Sequence, residues 1–412
     1  MMSPHVFHRC LLPLAAVFAA AAMQAATAGT PFVGTWSVSP YAQAASFDQQ
    51  TLRQIVHTSI GGATARIHLS NVFGNAPLRI ADVHVALRDH DAAIVVSTDV
   101  AVTFAGAAEV TIAAGTDIVS DPIPFAVPPR ADVAVSIHLP DPTGAATGHG
   151  FALQTNYIAQ GDVSAAADLA DAQQVRSYYF LSGLDVQNPQ VTAAVVLLGA
   201  SITDGYGSTP DSNRRWSNRL AENLAAAGVG IGVLNQGISG NRLLFDGNGP
   251  NAVARFERDV LDQPGVRWVI FSDDPINDLG NDDPLPQARE LIVAVEHLIG
   301  RAHARGIRFI CSTLTPFEGA DYWTPQAEPV REAFNDFVRS PGNGCDGIVD
   351  QDLATHDPAR PTWYLPAYDA GDHLHPNDDG HAAIAAAIDP ARFAEDIADA
   401  IFADGFDGAA AR

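Results

Sequence analysis

Four short segments of this 412-residue chain hold the residue types that acyl transfer needs. Gly199-Ala200-Ser201-Ile202-Thr203-Asp204-Gly205 follows an apolar run at 195–198, and Asn235-Gln236-Gly237-Ile238-Ser239-Gly240-Asn241 follows one at 231–234. Asp273-Asp274-Pro275-Ile276-Asn277-Asp278 follows the run at 266–271, and Asp372-His373-Leu374-His375-Pro376-Asn377 comes late in the chain. A serine hydroxyl is a weak nucleophile until a histidine takes its proton. That histidine needs a carboxylate to fix its tautomer. A developing oxyanion needs donors, which a glycine N–H, an asparagine amide or the amides of a helix N-terminus supply. Asp372 and His375, three apart in a turn closed by Pro376, can face one pocket.

The four segments resemble blocks I, II, III and V of the SGNH (GDSL-type) hydrolases, in family order, over about residues 190–405. The upstream stretch, with Gly34-Thr35-Trp36 and Ser70-Asn71-Val72-Phe73-Gly74, resembles the β-sandwich preceding the hydrolase domain in a bacterial exported subgroup. The resemblance implies Ser201 as nucleophile, His375 as base and Asp372 as its orienter. It implies an oxyanion hole made of the Ser201 N–H, the Gly240 N–H and the Asn277 side chain. It further implies hydrolysis of short acyl esters, carbohydrate O-acetyl groups among them, on a small-molecule or polysaccharide substrate, with no metal or organic cofactor.

Two positions depart from the family pattern. Ala200 stands where an aspartate usually precedes the serine, and Pro275 where a glycine usually lies two residues before the block III asparagine. Proline removes an N–H and fixes φ near −65°, so an altered oxyanion hole is one expectation. Asp273 and Asp274 add acid beside Asn277. They motivate a different reading, the same scaffold cleaving or transferring glycans with a carboxylate acid and base. A third reading is a silent carbohydrate-binding protein. Ser201 could instead cap a helix. Ser239 is a competing serine, and the chain lacks the G-x-S-x-G elbow. The Asp372, His373, His375, Asp378, Asp379 and His381 cluster could hold a metal, but all of it comes from one short segment. Tyr322 and Trp323 either line a site or pack a surface loop.

The elements that must position these residues are of two kinds. From 30 to 186 apolar residues alternate with polar ones, as in Val83, Val85 and Leu87, or Val133, Val135, Ile137 and Leu139. A period of two means strands with one face buried and one wet, which leaves His68, His84 and His138 facing solvent. Short strands with Gly and Pro turns predict an antiparallel β-sandwich, jelly-roll-like. From 190 to 405, apolar runs alternate with helical spacings such as Trp216, Leu220, Leu224 and Leu291, Val295, Leu298. That pattern predicts a parallel sheet covered by helices on both faces, a three-layer α/β domain. Gly228-x-Gly230-x-Gly232 reads as a turn after a helix. Residues 406–412 read as a flexible tail.

Composition narrows the partners. All 23 cations are arginine against 47 acids, a formal charge of −24. Such a surface repels polyphosphate and argues against nucleic acid and against a polybasic membrane contact. Residues 1–28 read as a cleaved signal peptide, with an 11–23 apolar run too short to span a bilayer and Ala26-Thr27-Ala28 before Gly29. A secreted or periplasmic protein without stable membrane insertion follows, while oligomeric state stays open. Cys311 and Cys345 then either form a disulfide or are two buried thiols.

Overall fold

The structure, a computed structural model, describes residues 30–394 except 170, 192, 282 and 283. The leader at 1–28 and the tail at 406–412 lie outside the described residues. The first half is built from β1 (Phe32–Ser37), β2 (Gln50–His57), β3 (Thr64–Ser70), β4 (Asp82–Leu87), β5 (Asp132–Leu139), β6 (Asn156–Gln160) and β7 (Leu181–Gln187), with shorter strands between them. One antiparallel sheet has the order β1, β7, β3 and the short strand Asp117–Val119. The other runs Gln173–Val175, β6, β2, β5, β4 and Val100–Ala101. The alternating residues Ile67, Leu69, Leu184 and Val186 of the first share a buried core with Leu52, Val56, Val83, Val85, Val133, Val135 and Ile137 of the second. Each such side chain removed from water contributes about 1.5–3 kcal/mol before entropy is counted.

The outer face of the larger sheet is not wet as its alternation suggests. Ile55, Ala86, Ala134 and Tyr157 pack there against Ala92, Ile94 and Leu169 in a second buried cluster. Arg53 is fully buried on that face, donating to Ser136 Oγ at 2.8 Å and to the Ala92 and Ala166 carbonyls at 2.7 Å each. The histidines expected in solvent are also largely covered. His84 sits 2.8 Å from Asp99, His138 is 12% exposed, and His68 of the smaller sheet sits 2.5 Å from Asp185. Alternation reports which side chains share a face, but it does not show that a later loop folds over it.

The second half is a five-stranded sheet of β8 (Ala194–Gly199), β9 (Gly232–Gly237), β10 (Val266–Phe271), β11 (Arg308–Ser312) and β12 (Gly347–Val349). All pairs are parallel, in the order β9, β8, β10, β11, β12. The helices are α1 (Ser201–Asp204), α2 (Trp216–Ala226), α3 (Ala252–Phe256), α4 (Asp274–Asn281), α5 (Ala288–Ala304), α6 (Ala327–Arg339), α7 (Gln351–Thr355) and α8 (Asp378–Ala386). Helix α2 buries Trp216, Leu220 and Leu224, and α5 buries Leu291, Val295 and Leu298, as their spacing predicts. The three-glycine stretch forms the turn from α2 into β9. Strand order reverses at β8, so the crevice beyond the carboxyl ends of β8 and β10 is where such a sheet binds ligands.

The two halves share one core. Gly34 N–H of β1 donates to Pro264 O at 3.0 Å, Val233 N–H of β9 to Ser59 Oγ at 3.0 Å, and Gln236 Nε2 to Ser37 Oγ at 2.9 Å. Cys311 and Cys345 form a disulfide that ties β11 to the segment entering β12. Among the described residues no helix is long and apolar enough to cross a membrane.

Candidate active site

Strand β8 ends at Gly199, the chain turns at Ala200, and Ser201 opens α1. The cap position of that helix is Ala200, so Ser201 is not its cap. The Ser201 hydroxyl lies 2.8 Å from His375 Nε2 instead. His375 Nδ1 lies 2.7 Å from Asp372 Oδ2, and Asp372 Oδ1 accepts the backbone N–H of Leu374 at 3.1 Å and of His375 at 2.9 Å. A carboxylate beside Nδ1 places the proton there and leaves the Nε2 lone pair facing the Ser201 O–H. Burial pushes the Asp372 pKa up, but the hydrogen bonds and charge of His375 outweigh it and hold it at about 2. Asp372 therefore stays ionised across the physiological range.

Gly240 lies in the turn after β9 with φ +78°, where an L side chain is strained, and a Cβ there would meet Asn248 Nδ2 at 2.4 Å. Asn277 lies in α4, its Nδ2 donating to Asn241 O at 2.9 Å and its Oδ1 accepting from Tyr322 OH at 3.3 Å. The β9 turn and the β10 helix are thus bonded to each other. Asp278 joins them again, accepting the Leu243 N–H at 2.7 Å and the Leu244 N–H at 2.9 Å. Pro275 occupies the first turn of α4, where the first four N–H groups have no partner within the helix. Its missing N–H therefore costs the helix nothing.

Arg255 organises the site, and sequence reasoning passed over it. Fully buried, it donates through Nη2 to Gly199 O at 2.9 Å, through Nη1 to Gln236 O at 2.6 Å and through Nε to Asn241 Oδ1 at 3.0 Å. It also pairs with Asp259 at 3.2 Å and Asp274 at 3.3 Å. One guanidinium thus spans the segments that carry Ser201, Gly240 and Asn277. The available signal was an arginine on the same helical face as Ala252, Phe256 and Val260, with Asp259 four residues on. Burial raises the Asp274 pKa to about 7, with Arg255 offsetting part of the effect. Asp273, 3% exposed, turns to the backbone around Ser201. Asp274 is likewise buried and paired with Arg255, so both carboxylates are engaged in holding the turns around the site.

The other polar residues near the triad hold loops. Ser239 donates its N–H and hydroxyl to Asp204 Oδ2 at 2.9 and 2.7 Å. His373 pairs with Asp369 at 2.5 Å, and Asp378 accepts the Thr209 hydroxyl at 2.6 Å. Among the described residues no group of three or more His, Cys, Asp or Glu side chains is placed to hold a metal ion. The Tyr206 ring lies over His375 with centroids 4.1 Å apart, and Phe151 of the β-rich half stacks on Tyr206 at 5.4 Å. Tyr322, Asp372 and Leu374 help line a cleft on the Asp372 side, whereas half-buried Trp323 packs against the core.

His381 fixes the Tyr206 turn. Its Nδ1 accepts the Trp216 N–H at 3.3 Å and its Nε2 lies 3.0 Å from Tyr206 O, an arrangement open only to the neutral ring. Burial lowers its pKa to about 4. Below pH 6.5 the unfolded chain binds this proton and the folded chain does not. Stability from this group is therefore full above pH 6.5 and lost as pH falls towards 4, by about 3 kcal/mol. The expected result is that His381→Gln, which keeps an acceptor and a donor, flattens the dependence of Tm on pH between 4 and 6.5 relative to the parent chain. An unchanged slope would refute the assignment.

Residues 197–383 match the family model described as the GDSL-like lipase/acylhydrolase family. No curated protein matches the chain. Among solved structures the chain is similar to a GDSL-like lipase from Bacteroides thetaiotaomicron VPI-5482, at 18% identity and a TM-score of 0.36, over 49% of this chain and 88% of that one. It is similar to an alpha/beta hydrolase enzyme from the metagenome of Lake Arreo, Spain, at 26% identity and 0.36, over 47% and 94%. It is also similar to a catalytic mutant of an acetylxylan esterase from Geobacillus stearothermophilus, at 23% identity and 0.36, over 47% and 91%.

Proposed function

Because residues 197–383 form a GDSL-like lipase/acylhydrolase domain, we propose that the chain is a serine esterase working through Ser201, His375 and Asp372. The observation that carries this reading is the unbroken hydrogen-bonded chain from Asp372 to His375 to Ser201, at 2.7 and 2.8 Å. His375 takes the Ser201 proton as Oγ attacks the ester carbonyl. It then gives that proton to the leaving alcohol. Water, deprotonated by the same ring, attacks the acyl-enzyme and releases the acid. The Ser201 and Gly240 amides and the Asn277 side chain take the charge of the tetrahedral intermediate.

The substrates in this reading are short acyl esters, O-acetyl groups of carbohydrates among them. The chain acts outside the cytosol, an assignment supported by the Cys311–Cys345 disulfide and the leader-like residues 1–28. Residues 30–186 and 190–405 are two domains that work as one unit, since Phe151 of the first covers Tyr206 beside His375. The test is covalent. A fluorophosphonate is expected to label Ser201 with one equivalent and to abolish release of p-nitrophenol from p-nitrophenyl acetate and of acetate from acetylated xylo-oligosaccharides. Labelling of Ser239, or polysaccharide binding without turnover of any ester, would overturn the reading.

A further inference from the structure

We propose that Asp273 is the positioning residue of the nucleophile turn, a helix cap delivered across the sheet from the end of β10. The proposal rests on the reading of Ser201 as nucleophile. A helix cap works by offering a side-chain acceptor to the second and third backbone amides of the helix. The cap position of α1 is Ala200, whose methyl group accepts nothing. The amides such a cap serves are those of Ile202 and Thr203. Asp273 Oδ2 accepts the first at 2.8 Å, and Oδ1 accepts the second at 3.3 Å. Oδ1 also accepts the Ala200 N–H at 3.0 Å and the Thr203 hydroxyl at 2.6 Å.

One buried carboxylate thus holds the residue on either side of Ser201. The Ser201 N–H is not among its partners, which leaves that amide to the oxyanion role assigned above. Gly199 makes the approach possible, because a Cβ there would stand 2.4 Å from Asp273 Oδ1 and 2.1 Å from Thr203 Oγ1. An aspartate at position 200 would sit in the cap position itself and reach the same two amides. Positions 200 and 273 are therefore two sources of one carboxylate. The chain's departure at Ala200 and its extra acid at Asp273 are a single exchange rather than two defects.

Removing the carboxylate frees the turn that keeps Ser201 Oγ 2.8 Å from His375 Nε2, and small misplacements at such a contact cost rate more than binding. The experiment uses the full chain and p-nitrophenyl acetate, with hydrogen exchange of residues 200–203 read in parallel. Asp273→Leu is expected to lower kcat about 30-fold or more with KM within about 3-fold, and to speed exchange at 200–203. Ala200→Asp combined with Asp273→Leu is expected to bring kcat within about 5-fold of the parent and to restore protection. Asp273→Asn, close in shape, keeps one acceptor and is expected to fall between.

An unchanged kcat in Asp273→Asn and Asp273→Leu would overturn the proposal. So would a folded double variant as slow and as fast-exchanging as Asp273→Leu. If Asp273→Leu does not fold, Asp273→Asn and the double variant decide by the same criteria. A parent chain inert towards every ester would sink the nucleophile reading alone. The exchange pattern at 200–203 would still judge the cap.

Discussion

Ser201→Ala is expected to lower kcat for p-nitrophenyl acetate by about 10⁴- to 10⁶-fold while leaving the fold intact. The size follows from what one oxygen does. Without Oγ there is no acyl-enzyme, and His375 has only a water to activate. The Asp372–His375 pair and the oxyanion donors remain, so a residual rate above the uncatalysed one is expected rather than zero. The structural cost is small. Ser201 is 8% exposed, and its hydroxyl makes one described hydrogen bond, to His375, so the loss is about 1 kcal/mol or less in stability. Steady-state kinetics and thermal unfolding of the same preparation check both halves. A variant that keeps more than about a tenth of the parent kcat would remove Ser201 from the mechanism, since ordinary polar contacts in a site are worth that much. His375→Ala should approach the same loss. His373→Ala should not, because His373 pairs with Asp369 and not with the serine.

How far the sequence carried this reading depends on what kind of constraint each residue obeys. That Ser201, His375 and Asp372 would meet was legible because a nucleophile, its base and an orienter must be such residue types, and because three residues in a tight turn bring Asp372 and His375 together. The parallel strands were legible because strands buried on both faces read as unbroken apolar runs. Asp273 was read as one half of a carboxylate acid–base pair, whereas its oxygens accept from the backbone around Ser201. Its role depends on β8 and β10 being neighbours with their ends in register, which no local pattern states. Arg255 was missed for the same reason, since its five partners come from five separate positions along the chain. The covered outer face of the larger sheet was missed because a period of two records a shared face and not the loop that folds over it.

His149→Leu is expected to destabilise the protein by about 3–5 kcal/mol near neutral pH and to remove an alkaline loss of stability. His149 ends the strand Ala146–His149 in the β-rich half and is buried beside the hydrolase half. Its Nδ1 lies 2.9 Å from Ser39 O, and its Nε2 lies 3.0 Å from Asp204 Oδ1 and 3.2 Å from Phe151 O. Every partner is an acceptor, so both ring nitrogens carry hydrogen and the ring is a cation. Burial lowers its pKa, but the Asp204 charge and the hydrogen bonds to Asp204 and Ser39 outweigh this and raise it, while the Arg215 charge opposes them. The Tyr41 ring, centroid 5.8 Å away, also faces it. Asp204 uses its second oxygen for the N–H and hydroxyl of Ser239, next to Gly240. Leucine would strand that carboxylate with half its partners, and a buried charge stripped of its counter-ion carries the cost just given. A pKa raised on folding contributes stability that is full below pH 6.5 and lost as pH rises through the folded value. The parent chain should therefore lose this contribution on the alkaline side, opposite to His381. His149→Leu should lack that loss and show a lower kcat through a looser Ser239-Gly240 turn. A variant as stable as the parent at pH 7, or one with the same alkaline slope, would show that the β-rich half does not hold the catalytic turn through this ion pair.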